Sequence, residues 1–303
     1  MRTNTTWREI ARNRYLYLLI LPALLFYAVF CYAPLSGIQL AFKSFRYDAG
    51  IWGSPWVGLA NFKSIFALQD FWAAFRNTIT ISLQRLVIEF PIPILLAIML
   101  NEIQALRLKR FYQTVLTFPH FLSWIVVSGI VVGLVGSAGV GSQLAVVLGG
   151  EKLDWISNPA VFRFLLYATS IWKSAGYSSI IYLAAIAGIS PELYEAAHVD
   201  GAGRFRQMLH VTWPGIQSTA AIMLILAVGQ IMNAGFDQIL NLYNPAVYGT
   251  ADIIDTFLFR RTFQLGADFG SSTAVGLFKS VLNVTLLLLA NYGAKKLGEE
   301  GLI

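Results

Sequence analysis

The chain has 303 residues, of which 56% are hydrophobic before glycine is counted and only 13% are charged, with a formal net charge of +6. An average soluble domain is about 25% charged and about 45–50% apolar with glycine included, so a water-exposed fold could not cover this much apolar surface. Together with a mean hydropathy of +0.62, this excludes a disordered chain, a coiled coil and an ordinary cytosolic enzyme, and leaves an all-α protein that crosses a membrane several times.

A bilayer-crossing helix needs about 20 mostly apolar residues. After a polar N-terminus over residues 1–14, Tyr15 to Pro34 is a first run without any charge. It contains the only cysteine, Cys31, which is expected to be a small core residue rather than a lipidated one. Asn77 to Leu100 is the second span, with Arg85 and Glu89 inside it, and Phe111 to Val135 is the uncharged third. Phe164 to Ala187 carries Lys173, Ile216 to Phe236 ends at Asp237, and Ser272 to Ala294 carries Lys279. Prolines 22, 91, 93 and 119 fall within spans, where neighbouring helices can satisfy the freed carbonyls, so they predict kinks rather than breaks. Residues 15–303 then read as a single transmembrane domain of six helices.

Six spans put both termini on one side. That side carries eleven basic residues, Arg2, Arg8, Arg12, Arg14, Arg107, Lys109, Arg110, Arg204, Arg206, Lys295 and Lys296. The other carries Lys43, Arg46, Lys63, Lys152, Arg260 and Arg261 in its loops, with Arg76 and Arg163 at span boundaries, still fewer. The positive-inside rule predicts cytoplasmic termini in a multi-pass protein of the cytoplasmic membrane. Basic residues acting as membrane anchors also account for the pI near 9.4 without any nucleic-acid partner. The outer segment from Gly37 to Ala74 is rich in Trp52, Trp56, Phe62, Phe66 and Trp72, and is expected to lie along the lipid interface.

Ionisable and amide side chains inside the spans fall on helical stripes. Thr78, Ser82, Arg85 and Glu89 form one, and Ser170, Ser174 and Tyr177, with Lys173 alongside, form a second. Gln230, Asn233, Asp237 and Asn241 make a third, while Ser272, Lys279 and Asn283 share a face of the last span. Polar groups at membrane depth are costly and usually face the bundle interior or a water-filled cavity. Candidate pathway residues are therefore Lys173, Tyr177, Gln230, Asn233, Asp237, Lys279 and Asn283, with Trp172 and Tyr243 as possible stacking surfaces for sugar rings. The alternative is polar packing between helices, at about 0.6 kcal/mol per contact. The i, i+4 spacing of Arg85 and Glu89 favours that alternative for this pair. Lys173 and Lys279 are expected either to pair with Asp237 across helices or to face an anionic sugar.

No internal repeat relates the two halves, which fits a half-transporter that pairs with a second subunit better than a secondary transporter built on repeats. No phosphate-binding GxxxxGK[ST] loop is present, and the nearest glycine cluster, Gly136 to Gly141, lacks the lysine. There is no HExxH or nucleophile elbow, and His120, His198 and His210 are scattered. Neither a catalytic site nor a metal site is expected on this chain.

The segment from Ile189 to Gly215 is the most informative. Ser190 suits an N-cap, Pro191 the first helical position and Glu192 the positive end of the helix dipole. A short helix is predicted from Pro191 to about Val199, ended by a left-handed Gly201. A second helical stretch begins near Arg204, with Pro214 at the entry to span five. Ala196, Ala197, Gly201, Ala202 and Gly203 leave a smooth surface with Glu195 at its edge, as a docking helix needs. A simple capped linker fits the same features about equally.

Glu195-Ala196-Ala197, then Gly201, then Val211-Thr212-Trp213-Pro214 resembles the EAA loop of binding-protein-dependent ABC importer permeases. Val211 and Trp213 replace the usual Ile and Leu, and Asp200-Gly201-Ala202 fits the sugar-importer version. Trp56-Val-Gly-Leu-Ala-Asn-Phe62, Phe118-Pro-His-Phe-Leu-Ser-Trp124, Ala251-Asp-Ile-Ile-Asp-Thr256 and Ala274-Val-Gly-Leu-Phe-Lys-Ser280 look like the carbohydrate branch, in particular its complex-polysaccharide and lipoprotein-associated subgroup. The resemblance implies the type I importer permease fold and uptake of an oligosaccharide or polysaccharide fragment. It implies a second permease subunit, with a paralogue favoured over an identical copy, and an external solute-binding protein. It also implies two ATPase subunits that carry ATP and Mg and meet the coupling loop 188–214 through Glu195, Ala196, Ala197, Asp200, Gly201, Ala202 and Pro214. This chain would then need no cofactor of its own. The competing readings are a secondary transporter or channel for a polar solute, an importer permease for a non-sugar solute, and a membrane enzyme acting on lipid or glycan.

Overall fold

The computed structural model describes residues 12–152, 154–264, 266 and 268–296. Five helical stretches are long and apolar enough to cross a bilayer: Arg14–Phe42, Gln69–Asn101, Trp124–Val147, Arg204–Gly229 and Phe269–Lys296. A sixth, Pro159–Ala187, turns through 72° into Pro191–Val199. Among the described residues there is no strand, only an isolated bridge between Lys43 and Trp56. Contacts group the chain into two compact units, one of residues up to Ala67 with 265–278, the other of 68–264 with residues from Lys279 onward.

In the first unit, helix α1 (Arg14–Phe26) continues through a π turn and a 3-10 stretch to Phe42. Its apolar surface is open over most of this length, closing only near Ala41, and Cys31 is exposed rather than buried. The end of the run is closed by side chains. The Asn61 amide, at the start of α2 (Ala60–Phe66), donates to the carbonyls of Leu40, Ala41 and Lys43 at 3.3, 3.0 and 2.9 Å. The Lys43 ammonium donates to the Ile51 and Trp52 carbonyls and lies 4.8 Å from the centre of the Trp56 ring. These contacts give the Trp56–Phe62 motif its structural reason: it caps the first span. Trp52 and Trp56 remain exposed, whereas Phe62 is half-buried against Phe42 and Phe66.

The second unit contains most of the bundle. Helices α3 (Gln69–Ile88) and α4 (Pro91–Asn101) are joined across Glu89 and Phe90, the kink expected at a proline. Pro119 behaves differently. Helix α5 (Leu106–Thr117) stops there, a 3-10 turn covers Phe118–Phe121, and α6 (Trp124–Val135) starts afresh with Ser123 as its cap. The expected single span over 111–135 is therefore broken, because Leu122 and Ser123 are extended. Helix α7 (Val140–Val147) comes next. The long α8 (Pro159–Ala187) is the central element, with Pro159 at its first turn and the Asn158 side chain accepting from Ala160 N–H. It packs on α4, α5 and α10 (Trp213–Gly229). Phe162, Leu166, Ile81, Val127, Ile239 and Ile253 make one core, and Ile94, Tyr182, Ile186 and Ile216 another.

Span five also departs from expectation. The helix ends at Gly229, a 3-10 turn covers Ile231–Asn233, and α11 (Phe236–Leu242) is separate. Ala234 at φ 45° and Gly235 at φ 82° are both left-handed, which no continuous right-handed helix can absorb. Helix α12 (Ile254–Phe259) and the last helix, α13 (Phe269–Lys296), complete the order.

Helices α5 and α8 cross closely at Gly176. A β-carbon on Gly176 would stand 2.1 Å from the Leu116 carbonyl oxygen and 2.4 Å from its carbon, and neither backbone atom can swing aside. Gly176→Ala should therefore lower the melting temperature of the detergent-purified protein, with an overpacking cost of about 1–3 kcal/mol. Gly129→Ala, where a β-carbon meets nothing within 4 Å, should leave it near wild type in the same thermal scan.

Candidate functional site

The 188–214 loop folds as the sequence predicts. Helix α9 runs Pro191–Val199, with Ser190 extended at the N-cap position, although the Ser190 hydroxyl makes no capping bond. The Leu193 N–H donates instead to the Ser190 carbonyl at 3.2 Å. Gly201 takes φ +75°, and the N–H of Ala202 returns to the Ala197 carbonyl at 2.8 Å, closing the helix end. Helical structure resumes at Arg204 and runs through Pro214 into α10. Two bonds fix the loop to that stretch: Tyr194 and Thr212 share a hydroxyl contact of 3.0 Å, and the Gln207 amide donates to the Ala202 carbonyl at 3.0 Å.

No residue of α9 is buried. Glu195, Ala196, Asp200, Gly201 and Pro214 are exposed, Ala197 and Ala202 half-buried. Glu195 makes no ion pair or side-chain hydrogen bond among the described residues. Val199 and Phe205 are 85% and 78% exposed. The loop thus presents a small-residue surface, one free carboxylate and two bare apolar side chains.

The pathway candidates do not form one cluster. Gln230 and Asn233 are exposed, bonded to each other, and line a cavity of about 390 Å³ together with Ser82, Arg85, Glu89, Ser170, Ser174 and Ser178. This hydroxyl- and amide-bearing space lies between α3, α8 and the break after α10. Lys173 and Tyr177 form a separate corner. The Tyr177 ring is stacked on His120 at 3.9 Å and 3°, and the Lys173 ammonium donates to the His120 carbonyl at 2.7 Å and sits 5.5 Å from the Trp124 ring centre. Tyr177 remains 45% exposed. Trp172 is also exposed, while Tyr243 packs on Tyr248 and its phenol is pushed up to about 12, chiefly by burial.

Three expectations are corrected here. Lys279 pairs with Asp255, both carboxylate oxygens at 2.7 Å, and not with Asp237. Lys173 does not pair with Asp237 either, since its ammonium is held by a backbone carbonyl. Asp237 is exposed at the start of α11, and it is the neighbouring Gln238 that is fully buried. The break at Ala234–Gly235 interrupts the helix inside the stripe, yet Gln230, Asn233, Asp237 and Asn241 are all exposed. Asn283 is likewise structural, accepting from Met232 N–H at 3.3 Å and thereby holding the break. Arg85 and Glu89 form the expected i, i+4 pair at 3.7 Å.

Sequence reasoning missed a second network. Asn77 donates to the Gly249 and Asp252 carbonyls at 3.2 and 3.1 Å, and accepts from Arg163 at 3.0 Å. Asp252 pairs with Arg260 at 2.6 Å and accepts from Thr256 at 2.7 Å. The Ala251–Thr256 motif carried that signal, because an aspartate before a short apolar helix needs a cation nearby.

Residues 89–298 match the family described as binding-protein-dependent transport system inner membrane component, and the chain belongs to that family: it is a membrane permease of the ABC transporter class. Over 295 residues it is 42% identical to the polygalacturonan/rhamnogalacturonan transport system permease protein YteP of Bacillus subtilis (strain 168), covering 97% of this chain and 92% of the relative. It is 43% identical over 294 residues to protein LplB of the same organism, with the same coverage. Among solved structures, a chain of the bacterial alginate ABC transporter, in complex with an alginate pentasaccharide-bound periplasmic protein, superposes with a TM-score of 0.88 at 36% identity. That match covers 98% of this chain and 99% of the other. The importer permease fold expected from the EAA loop is thereby shown.

The Lys279–Asp255 pair is 15% and 20% exposed, so removing one partner strands a partly buried charge. Lys279→Met and Asp255→Leu should each destabilise the protein by about 1–3 kcal/mol, and the double change by less than their sum. Thermal unfolding of the four proteins measures this. A Lys279 that served the solute instead would leave stability unchanged and alter only uptake.

Proposed function

We propose that this chain is the non-catalytic permease subunit of an ATP-driven importer, and that it moves an oligosaccharide or polysaccharide fragment across the cytoplasmic membrane. The observation that carries the reading is α9: a short helix with no buried residue, braced at both ends and carrying an unpaired carboxylate. Such a helix can be gripped by a partner and can transmit that partner's movement into α8 and α10, to which it is directly joined. The partner is a pair of ATPase subunits holding ATP and Mg, with Glu195 meeting a basic residue and Ala196, Ala197, Gly201 and Ala202 allowing close approach. Asp200 and Pro214 frame the loop. In this reading both termini and α9 are cytoplasmic, a second permease subunit (a paralogue) completes the pore, and an external binding protein delivers the solute. Lipid is the only other partner, and the chain holds no cofactor.

The solute class rests on the relatives named above, two of which carry acidic glycans in their names, and on the chemistry of the two polar regions. Serine hydroxyls and amides beside Gln230 and Asn233 suit sugar hydroxyls, and Tyr177 offers a ring face. Arg85 with Glu89 and Lys279 with Asp255 are neutral pairs, whereas Lys173 faces a carbonyl and has no carboxylate partner among the described residues. A cation without a counter-charge favours a uronate-containing chain. Lys173→Ala should depress uptake of a uronic-acid oligomer several-fold more than uptake of a neutral one, as measured with labelled solutes in proteoliposomes. Equal losses for both would remove the charge argument.

Reversing the docking charge is the sharper test of the coupling assignment. In the assembled transporter, Glu195→Lys should reduce solute-stimulated ATP hydrolysis by about tenfold or more, as expected for a like-charge contact at an interface. Gly201→Asp should do the same by straining the φ +75° turn. Membrane insertion, followed by detergent extraction, should be unaffected in both variants.

A further inference from the structure

Arg85 lies on α3, in a segment that is otherwise apolar or hydroxyl-bearing, and its guanidinium is engaged on several sides. It pairs with Glu89 at 3.7 Å, and Glu89 accepts from the Ser170 hydroxyl of α8 at 2.8 Å. It donates to the side-chain oxygen of Gln238 on α11. The Gln238 amide nitrogen in turn donates to the Leu166 carbonyl and the Thr169 hydroxyl of α8, both at 2.7 Å. A β-carbon on Gly235 would stand 2.8 Å from Cζ, Nη1 and Nη2 of Arg85 alike. Equal distances to three atoms of a planar group mean that the guanidinium lies flat against Gly235.

Gly235 and Ala234 are the two left-handed residues that separate α10 from α11. A non-glycine residue in that region persists only when its surroundings enforce it. Here the enforcement comes from two sides, Asn283 on the Met232 N–H and Arg85 on Gly235 and Gln238. Gln230 and Asn233, which present amides to the cavity, sit on the turn held between them. A lysine could supply the charge but neither the plane that fills the space beside Gly235 nor the fork that reaches Glu89 and Gln238 together.

We infer that Arg85 is a positioning residue for solute selection: by clamping Gly235 and Gln238 it fixes the angle of the break between α10 and α11, and so fixes where Gln230 and Asn233 point. The inference rests on the reading that the cavity beside these amides belongs to the solute path. It gives Arg85 a role distinct from the interhelical packing that its i, i+4 pairing with Glu89 suggests.

The test is a double-mutant cycle in the assembled transporter, read as KM and kcat of solute uptake. Arg85→Lys should raise KM by about tenfold, the worth of one or two misplaced amide contacts, with a smaller change in kcat. Gly235→Ala should shift KM in the same direction, because its β-carbon displaces the guanidinium. Arg85→Lys with Gly235→Ala should be no worse than either alone, since both act on one contact. Spin labels at the exposed positions Leu226 and Asn241 report the break directly, and Arg85→Lys should broaden or shift their distance distribution. Multiplicative KM effects, or an unchanged label distance, overturn the inference. The cavity reading fails separately: it falls if Gln230→Ala and Asn233→Ala leave KM unmoved while the label distance still responds to Arg85→Lys.

Discussion

A polar group inside an apolar bundle has no water to turn to, so it must find its partner in the protein. Most of the arrangement of the second unit depends on where those partners lie. Arg85 and Glu89 reach Ser170 and Gln238, Asn77 reaches the backbone at Gly249 and Asp252, and Lys279 reaches Asp255. Each link joins stretches remote in sequence. Each would leave a charge or amide unsatisfied if either helix moved, and that one-sided penalty fixes register more firmly than the net worth of the bond. Residues 243–260, too irregular to be a span, are held in place largely by Asn77, Arg163 and Arg260.

The same constraint explains what could be read from the sequence. Helix α9 and its left-handed glycine were legible to the residue, because capping and turn chemistry are local and act over four or five positions. The apolar runs were legible because hydropathy is additive along the chain, but the bounds of the third and fifth shifted at Pro119 and Gly229. The directions of polar side chains were not. Periodicity assigns a face only while the helix continues, and at Ala234–Gly235 it does not. Beyond the break Gln238 is buried, while Asp237 and Asn241 stay exposed and linked through the Asn241 amide on the Asp237 carbonyl. The Asn233-Ala-Gly235 sequence was the available warning, since a glycine after an amide is a helix breaker as well as a small residue. Pro119 carried a similar warning and proved to be a break, while Pro91, in the same kind of apolar run, is only a kink. The two prolines differ in their C-terminal neighbours: Leu122 and Ser123 extend so that Ser123 can cap α6, whereas Pro91 itself opens α4.

The motifs that carry the family resemblance divide by the same logic. The Trp56–Phe62 stretch caps the first span through Asn61, the Ala251–Thr256 stretch seats Asp252 and Asp255 against Arg260 and Lys279, and the Ala274–Ser280 stretch supplies that lysine. These are scaffold. The Glu195 carboxylate of the EAA loop has no such internal partner among the described residues, which leaves it open to a partner outside the chain. A carboxylate that costs nothing to leave in water can be spent on a partner, whereas one already paired cannot be recruited without breaking the fold.

That distinction bears on how such a bundle can select a polar solute without unfolding around it. Charges committed to structure are closed to the solute, since meeting it would strand Glu89 or Asp255. Outside those pairs the bundle holds uncharged amides, serine hydroxyls, the Tyr177 ring and the buried Lys173 ammonium, whose ligand is a backbone carbonyl. Uncharged donors and acceptors can exchange one partner for another at little net cost, which is what a solute in transit requires: contacts strong enough to admit it and weak enough to release it. The clamp at Gly235 then matters because amides that bind weakly must be placed accurately.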